Sequence, residues 1–342
     1  MNEKGKSLRV GLIGTGRISD IYLQTISKFS NVDIVACGSL NLEESRSKAE
    51  TYDIPTVATP DAIIADPNID AILNLTIPSA HASVSLAALE AGKHVYSEKP
   101  LVTDLADGRT VLDLAAKRGL IVGNAPDTWL GGRWQTVRRL LDTDAIGKPT
   151  SCAAFVGTHG TERHHPNPDF YYQAGGGPML DLGPYYLSAM VFFLGPIARV
   201  AGMSNRAFER RMIENGPRNG AWMDVETDTH VQGMVEFASG AIGSITMSFD
   251  VWDSEMPRFE IYGTNGTICI PDPDPVYGAN RFEGEVWIRT RETSRWSHQP
   301  RPTGRDNWQV AKNAHGINED SRGVGLVEMA DAIRHGRTPR CS

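Results

Sequence analysis

The stretch Leu8-Arg9-Val10-Gly11-Leu12-Ile13-Gly14-Thr15-Gly16-Arg17-Ile18-Ser19 reads as a strand, a tight turn and the start of a helix. Its apolar, β-forming first half passes into a G-x-G-x-x-S spacing, with Ser19 where a dinucleotide fingerprint usually carries Gly or Ala. Gly14 lets the chain turn, and Gly16 lets a pyrophosphate approach the backbone. The helix that follows aims its N–H groups and positive dipole end at that phosphate. Gly14, Thr15, Gly16, Arg17 and Ile18 are therefore candidate cofactor contacts. Alone the spacing is weak evidence, because a plain structural turn is its commoner origin.

The surroundings supply the rest of a nucleotide-binding half. Residues 32–37 are a second apolar run at the distance a βαβ unit requires, ending in Gly38-Ser39-Leu40-Asn41. An acid at this strand end would hold both ribose hydroxyls. Ser39 does not compete with a 2′-phosphate, and no Arg stands at position 40 to attract one. Both NAD and NADP stay open, with a lean to NADP. Ser39 also suits a cap for a helix beginning around residues 42–44.

Residues 71–76 form a further buried-strand candidate, stopped where Pro78 forbids a ladder bond. Thr76, Ile77, Pro78 and His81 gather at its end. A helix over residues 82–91 is broken by Gly92, and residues 93–97 lead into Ser97-Glu98-Lys99-Pro100. Residues 101–119 read as a helix and residues 120–122 as the start of the last strand. This alternation implies a right-handed parallel sheet with its ligand outside the carboxyl ends of the strands, so that Gly14, Ser39, Ile77 and Lys99 face one crevice. By residue type Lys99 is an ordinary surface lysine. Its place at a strand end, held by a proline beside a cofactor, suits it to polarise a hydroxyl or carbonyl.

Three ordered motifs, Gly11-x-Ile13-Gly14-x-Gly16-x-Ile18, Pro78-x-x-His81 and Ala91-Gly92-Lys93-His94-Val95-x-x-Glu98-Lys99-Pro100, are similar to those of the glucose-fructose oxidoreductase, inositol dehydrogenase and rhizopine-catabolism (Gfo/Idh/MocA) oxidoreductase family. The resemblance runs from about residue 8 to the end of the chain, less completely in the last segment. It implies an α/β protein with an N-terminal Rossmann doubly wound parallel sheet over residues 1–125. A substrate-binding and oligomerisation α+β domain with a large, mainly antiparallel open sheet then occupies residues 126–342. It also implies a nicotinamide cofactor touching Glu98 and Lys99, and a homodimer or homotetramer paired through the outer face of the second sheet. The family usually continues with a further helix beyond Arg340-Cys341-Ser342, so a truncated chain and a shorter relative both fit.

In the second half, residues 124–133, with Asp127, Trp129 and Gly131-Gly132, read as the loop linking the domains and bordering the crevice. Residues 134–141 are helix-like and residues 151–158 start a new sheet. Residues 159–177 are rich in His, Pro, Asn, Tyr and Gly, which favours a shaped loop. Trp129, His165 and Tyr172 are candidate substrate contacts, offering hydrogen bonds and stacking faces to a polyol or sugar ring. Alternatively Phe170, Tyr171 and Tyr172 fill the domain core. His159, His164 and His165 share no ligand spacing, and no metal is expected.

Gly175-Gly176-Gly177-Pro178-Met179-Leu180-Asp181-Leu182-Gly183-Pro184-Tyr185 allows close backbone approach and a helix opening at Pro178 or Pro184 and ending at Gly195-Pro196. If residues 181–185 are helical, Asp181 and Tyr185 share a face. Asp181 alone is as readily a helix N-terminal acid. The resembling family places an Asp and, four residues on, usually a His here, partnering the lysine. Asp181 matches and Tyr185 departs. An ordinary tyrosine titrates near pH ~10 and needs a cation to act as a base, which Lys99 supplies. The catalytic candidates are Lys99, Asp181 and Tyr185.

Further on, residues 230–237 and 241–249 read as an antiparallel hairpin, and residues 258–262 and 267–270 flank an Asn265-Gly266 turn. Residues 281–315 are polar and irregular, with Trp287, Trp296 and Trp308 as anchors. Residues 323–335 form an amphipathic helix candidate.

The whole composition agrees. The chain has 342 residues, of which 40% are hydrophobic and 22% charged, as for two globular domains. A net charge of −7 and the lack of a basic run give no reason to bind nucleic acid. Four dispersed cysteines, no leader-like start and no span of ~18 apolar residues point to a reducing, cytoplasmic compartment and no membrane partner. The leading expectation is an NAD(P)-dependent dehydrogenase acting on a hydroxyl-bearing carbon of a sugar, sugar derivative or cyclic polyol. A catalytically silent dinucleotide or sugar sensor and an imine or enone reductase are the alternatives.

Overall fold

The computed structural model describes residues 7–271, 278–292, 307–315, 317 and 320–341. Its contacts divide the chain into two units, Met1–Asp127 with Ser321–Ser342, and Thr128–Asp320.

The first unit alternates strands β1 (Leu8–Ile13), β2 (Val32–Gly38), β3 (Thr56–Val57), β4 (Ala71–Asn74), β5 (His94–Ser97) and β6 (Val122–Asn124) with helices α1 (Ile18–Ile26), α2 (Leu42–Tyr52), α3 (Pro60–Ala65), α4 (His81–Glu90) and α5 (Leu105–Arg118). The strands make one parallel sheet in the order β3-β2-β1-β4-β5-β6. The order reverses between β1 and β4, where a doubly wound sheet opens its ligand crevice. Helices cover both faces, so β4 is buried at every residue, and Ile72 and Leu73 are inaccessible to solvent. Burying each such side chain contributes about 1.5–3 kcal/mol.

Helix ends are set locally. Asp104 accepts the Ala106 and Asp107 N–H groups at the start of α5, and Gly119 closes it in the left-handed conformation. The expected cap at Ser39 is instead Asn41, whose side chain accepts from Glu43 N and Glu44 N. Ser39 stands two residues outside that position.

The C-terminal helix Val324–His335 belongs to this unit and not to the 126–342 block expected from the sequence. Its apolar face is buried, Asn31 donates to the Val327 carbonyl at 2.9 Å, and the Asn124 N–H donates to the Cys341 carbonyl at 2.9 Å.

The second unit carries an eight-stranded sheet built from β7 (Pro149–Gly157), β8 (Ile197–Asn205), β11 (His230–Phe237), β12 (Ile242–Ser248), β13 (Phe259–Gly263), β14 (Gly266–Ile270), β15 (Trp287–Thr290) and β16 (Gln309–Val310). Strands β9 (Arg210–Met212) and β10 (Trp222–Asp224) pair separately. The order in the large sheet is β16-β15-β14-β13-β7-β12-β11-β8; β7 and β12 run parallel and every other pair antiparallel. Both expected hairpins are present. Residues 281–315, expected to be irregular, contain β15 and β16, because pairing of β15 with β14 and of β16 with β15 supplies order that local propensity does not. Trp287 and Trp308 lie 6.3 Å apart, and Trp296 lies outside the described residues.

The α-helices of this unit among the described residues are α6 (Gly132–Asp142), α7 (Pro178–Asp181) and α8 (Gly183–Leu194). Trp134, fully buried, sits between the Phe193 and Phe259 rings.

Candidate active site

The phosphate loop follows from two glycines with different tasks. Gly14 has φ +100°, and a Cβ there would lie 2.4 Å from the Leu75 carbonyl oxygen. Only glycine permits this turn against β4. A Cβ added at Gly16 meets nothing within 4 Å, so the approach to that backbone is open. Ser19 is fully buried, with its hydroxyl donating to the Gly16 carbonyl at 2.7 Å, which explains how serine fills the usual Gly or Ala position. These residues fit a dinucleotide pyrophosphate at the N-terminus of α1. Arg17 is exposed there and makes no ion pair among the described residues.

At the end of β2, Ser39, Thr15 and Ser45 form a hydroxyl cluster with contacts of 3.0 to 3.2 Å. Ser39 Oγ also accepts from Asn41 N at 3.1 Å and donates to the Asn41 carbonyl at 2.9 Å. Thr15 is buried, which turns its side chain from a ligand contact into a prop for the loop. A cavity of about 340 Å³ opens beside it, lined by Thr15, Arg17, Asp20, Glu44, Ser47, Lys48 and Thr51. Lys48 pairs with Asp20 and holds that carboxyl below its usual range.

The ends of β4 and β5 carry the remaining first-unit candidates. Thr76 donates to Asn74 Oδ1 at 2.6 Å, and Ile77 is 69% exposed beyond it, next to Pro78, the first residue of a 3₁₀ turn. His81, expected to touch the cofactor, is fully buried; its ring lies between the Pro100 carbonyl, 2.6 Å from Nδ1, and the Thr76 carbonyl, 2.9 Å from Nε2. It ties the two strand-end loops together.

Glu98, given the same expectation, is 7% exposed with both oxygens engaged. One accepts the Tyr22 hydroxyl at 2.9 Å and the other the Lys99 N–H at 2.7 Å. Its carboxylate fixes the backbone that presents Lys99.

Beneath this motif lies Asp127, whose Oδ2 accepts from Gly323 N at 2.8 Å and Gly325 N at 2.9 Å, while Oδ1 is buried with no hydrogen-bond partner among the described residues. Burial pushes its carboxyl up to about 6, against the pull of those N–H groups and Arg322. Burial likewise drives the Tyr22 and Tyr96 hydroxyls far above their usual range. Sequence reasoning missed Tyr22 and gave Asp127 no role; their partners lie 76 and 198 residues away in the chain, at Glu98 and Gly325.

In the second unit, Asp181 is the last residue of α7 and Tyr185 lies in the first turn of α8, 5% exposed. The expected continuous helix is interrupted at Leu182, and the Tyr185 N–H bonds to the Leu182 carbonyl at 3.2 Å. Both prolines open helices, since Pro178 starts α7 and Pro184 starts α8.

Trp129 is 7% exposed and packs on Phe192 with ring centroids 4.6 Å apart. Tyr172 is inaccessible to solvent and donates to Glu162. Tyr172 thus fits the core-filling alternative, whereas Phe170, 50% exposed, does not. Glu162 pairs with Arg211, which also pairs with Asp250 and lies over the Phe208 and Tyr172 rings. His165 is half-buried against Phe170 and Tyr171, and its Nδ1 accepts from Asn167 N at 3.1 Å. His159 stacks on Trp252 at 3.3 Å, and burial lowers its pKa.

A doubly wound sheet with an open glycine cradle at its carboxyl edge is the architecture of a dinucleotide-binding domain. Residues 8–125 match the oxidoreductase family with an NAD-binding Rossmann fold, and residues 134–269 match the GFO/IDH/MocA C-terminal domain. The chain belongs to the Gfo/Idh/MocA oxidoreductase family. It is 26% identical over 269 residues to 1,5-anhydro-D-fructose reductase of Ensifer adhaerens, covering 76% of this chain and 74% of that protein. Myo-inositol 2-dehydrogenase of Thermotoga maritima is 25% identical over 264 residues, with 76% and 74% covered. The structure of levoglucosan dehydrogenase in complex with NADH and levoglucosan has the same fold, with a TM-score of 0.79 at 20% identity, covering 98% of this chain and 92% of that one.

Proposed function

We propose that the chain is an NAD(P)-dependent dehydrogenase that oxidises or forms a hydroxyl-bearing carbon of a sugar, sugar derivative or cyclic polyol. The observation that carries this reading is Lys99, fixed through its N–H to Glu98 at the end of β5, on the same carboxyl edge of the sheet as the open Gly16 cradle. Bound nicotinamide supplies hydride exchange with a carbinol carbon.

The protein's tasks are to orient that carbon and manage one proton. Lys99 places a positive charge beside the reacting oxygen, which favours its alkoxide form. Tyr185, helped by that cation, accepts the hydroxyl proton, and Asp181 orients the substrate or Lys99. Arg17 and the lack of an acid among Ser39, Leu40 and Asn41 support the lean to NADP. Met203, Met234 and Ile242, exposed on one face of the second sheet, support a homodimer or homotetramer formed through that face.

A panel of sugars and polyols with NAD⁺ and NADP⁺, followed at the nicotinamide absorbance, tests the reading. Turnover of at least one member, lost in Lys99→Ala and reduced in Tyr185→Phe, is expected. Tight cofactor binding with no turnover across the panel refutes it in favour of a silent sensor.

A further inference from the structure

We propose that Tyr22 is a positioning residue for the reaction, acting through Glu98 to hold Lys99 in register with the helix that grips the cofactor; this rests on the role given to Lys99 above. Strand β5 ends at Ser97, and the next N–H, that of Glu98, still bonds to the Asn74 carbonyl at 2.9 Å. The Lys99 N–H bonds to the side chain of its own neighbour, Glu98 Oε2, at 2.7 Å. The setting of the Lys99 peptide therefore depends on where the Glu98 carboxylate is held.

What holds it is the Tyr22 hydroxyl, 2.9 Å from the other oxygen. Tyr22 is fully buried on α1, the helix whose first turn follows Gly16. Phenylalanine would fill the same buried volume without a hydroxyl, so the tyrosine oxygen is what engages the Glu98 carboxylate. One hydroxyl thus links the element that receives the cofactor phosphates to the backbone that carries Lys99. Displacing a catalytic group by about 1 Å can reduce turnover by about 10²-fold. The charged and titratable groups facing Tyr22 are Glu98 beside it, Asp127 at the end of the first unit, Arg322 before the C-terminal helix, and Tyr96 on β5.

The test compares Tyr22→Phe and Glu98→Gln with the full-length wild type and with Lys99→Ala. NADH and NADPH affinities are read by fluorescence, kcat and KM on the best substrate of the panel, and the reactivity of Lys99 toward acetic anhydride across pH by peptide mass spectrometry. Tyr22→Phe is expected to keep both affinities and KM within about threefold, to lower kcat about tenfold or more, and to shift the pH profile of Lys99 labelling. An unchanged kcat, or an unchanged labelling profile, overturns the proposal. So does a fall in kcat that comes only with a matching loss of cofactor affinity. If Tyr22→Phe does not fold, Glu98→Gln carries the same readouts. Full turnover in Lys99→Ala sinks the reading of Lys99 itself, while the labelling profile still judges whether Tyr22 sets that lysine.

Discussion

Asp127→Asn is expected to stabilise the protein at neutral pH and to have little effect in acid. The Asp127 carboxyl titrates at about 6 in the folded chain against 3.8 for an exposed aspartate, because burial penalises its charged form. Between pH about 4 and 6 the folded state therefore binds more protons than the unfolded one, and stability falls as pH rises through that window. Two pKa units at 1.36 kcal/mol each put the full penalty at about 3 kcal/mol, reached above pH about 7.

Asparagine does not titrate and keeps a carbonyl oxygen for the Gly323 and Gly325 N–H groups. Its amide donor replaces the unpartnered Oδ1 and can turn toward the Tyr96 hydroxyl, which also lacks a partner among the described residues. That hydroxyl is close by, since a Cβ at Gly325 would lie 2.2 Å from it and 2.9 Å from Asp127 Cβ. Scanning calorimetry from pH 4 to 8 is the assay. The gap between variant and wild type should open between pH about 4 and 6 and level off at roughly 5–10 °C in Tm. A variant that melts lower at pH 8, or a gap that does not change with pH, refutes the reasoning.

Two other substitutions probe the scaffold. Arg211→Met leaves Glu162 and Asp250 buried without their cation and is expected to destabilise by about 3–5 kcal/mol, read as an early calorimetric transition; a loss under about 1 kcal/mol would show that the network is dispensable. Gly14→Ala forces a side chain into a positive-φ turn and 2.4 Å from the Leu75 carbonyl, so cofactor titration should show loss of NADH and NADPH binding, and wild-type affinity would contradict the cradle.

Much of the fold was readable because its signals are local. Residues 8–13 announce a buried strand, Gly14 a turn, and the repeated run of strand and helix a parallel sheet, and each is present. The site was less readable. Ser39 looked like a cap, yet Asn41 caps α2, and the Ser39 hydroxyl bonds to Thr15, Ser45 and Asn41. His81 and Glu98 are both buried, His81 between the Pro100 and Thr76 carbonyls and Glu98 between the Tyr22 hydroxyl and the Lys99 N–H, contacts that no local motif announces. Tyr172 has the chemistry of a sugar contact, but Glu162 and Arg211 enclose it.

The amino-acid sequence by itself determined the class of fold, the glycine loop and the lysine at the end of β5, since periodicity, turn chemistry and residue spacing act over a few residues. Tertiary structure decided which polar groups are left to meet a ligand. Residues distant in the chain compete for the same donors and acceptors, as Tyr22 does for Glu98, and the C-terminal helix docks on the first unit because its apolar face is buried there. No local pattern encodes that competition, because its outcome depends on which surfaces meet when the chain closes on itself.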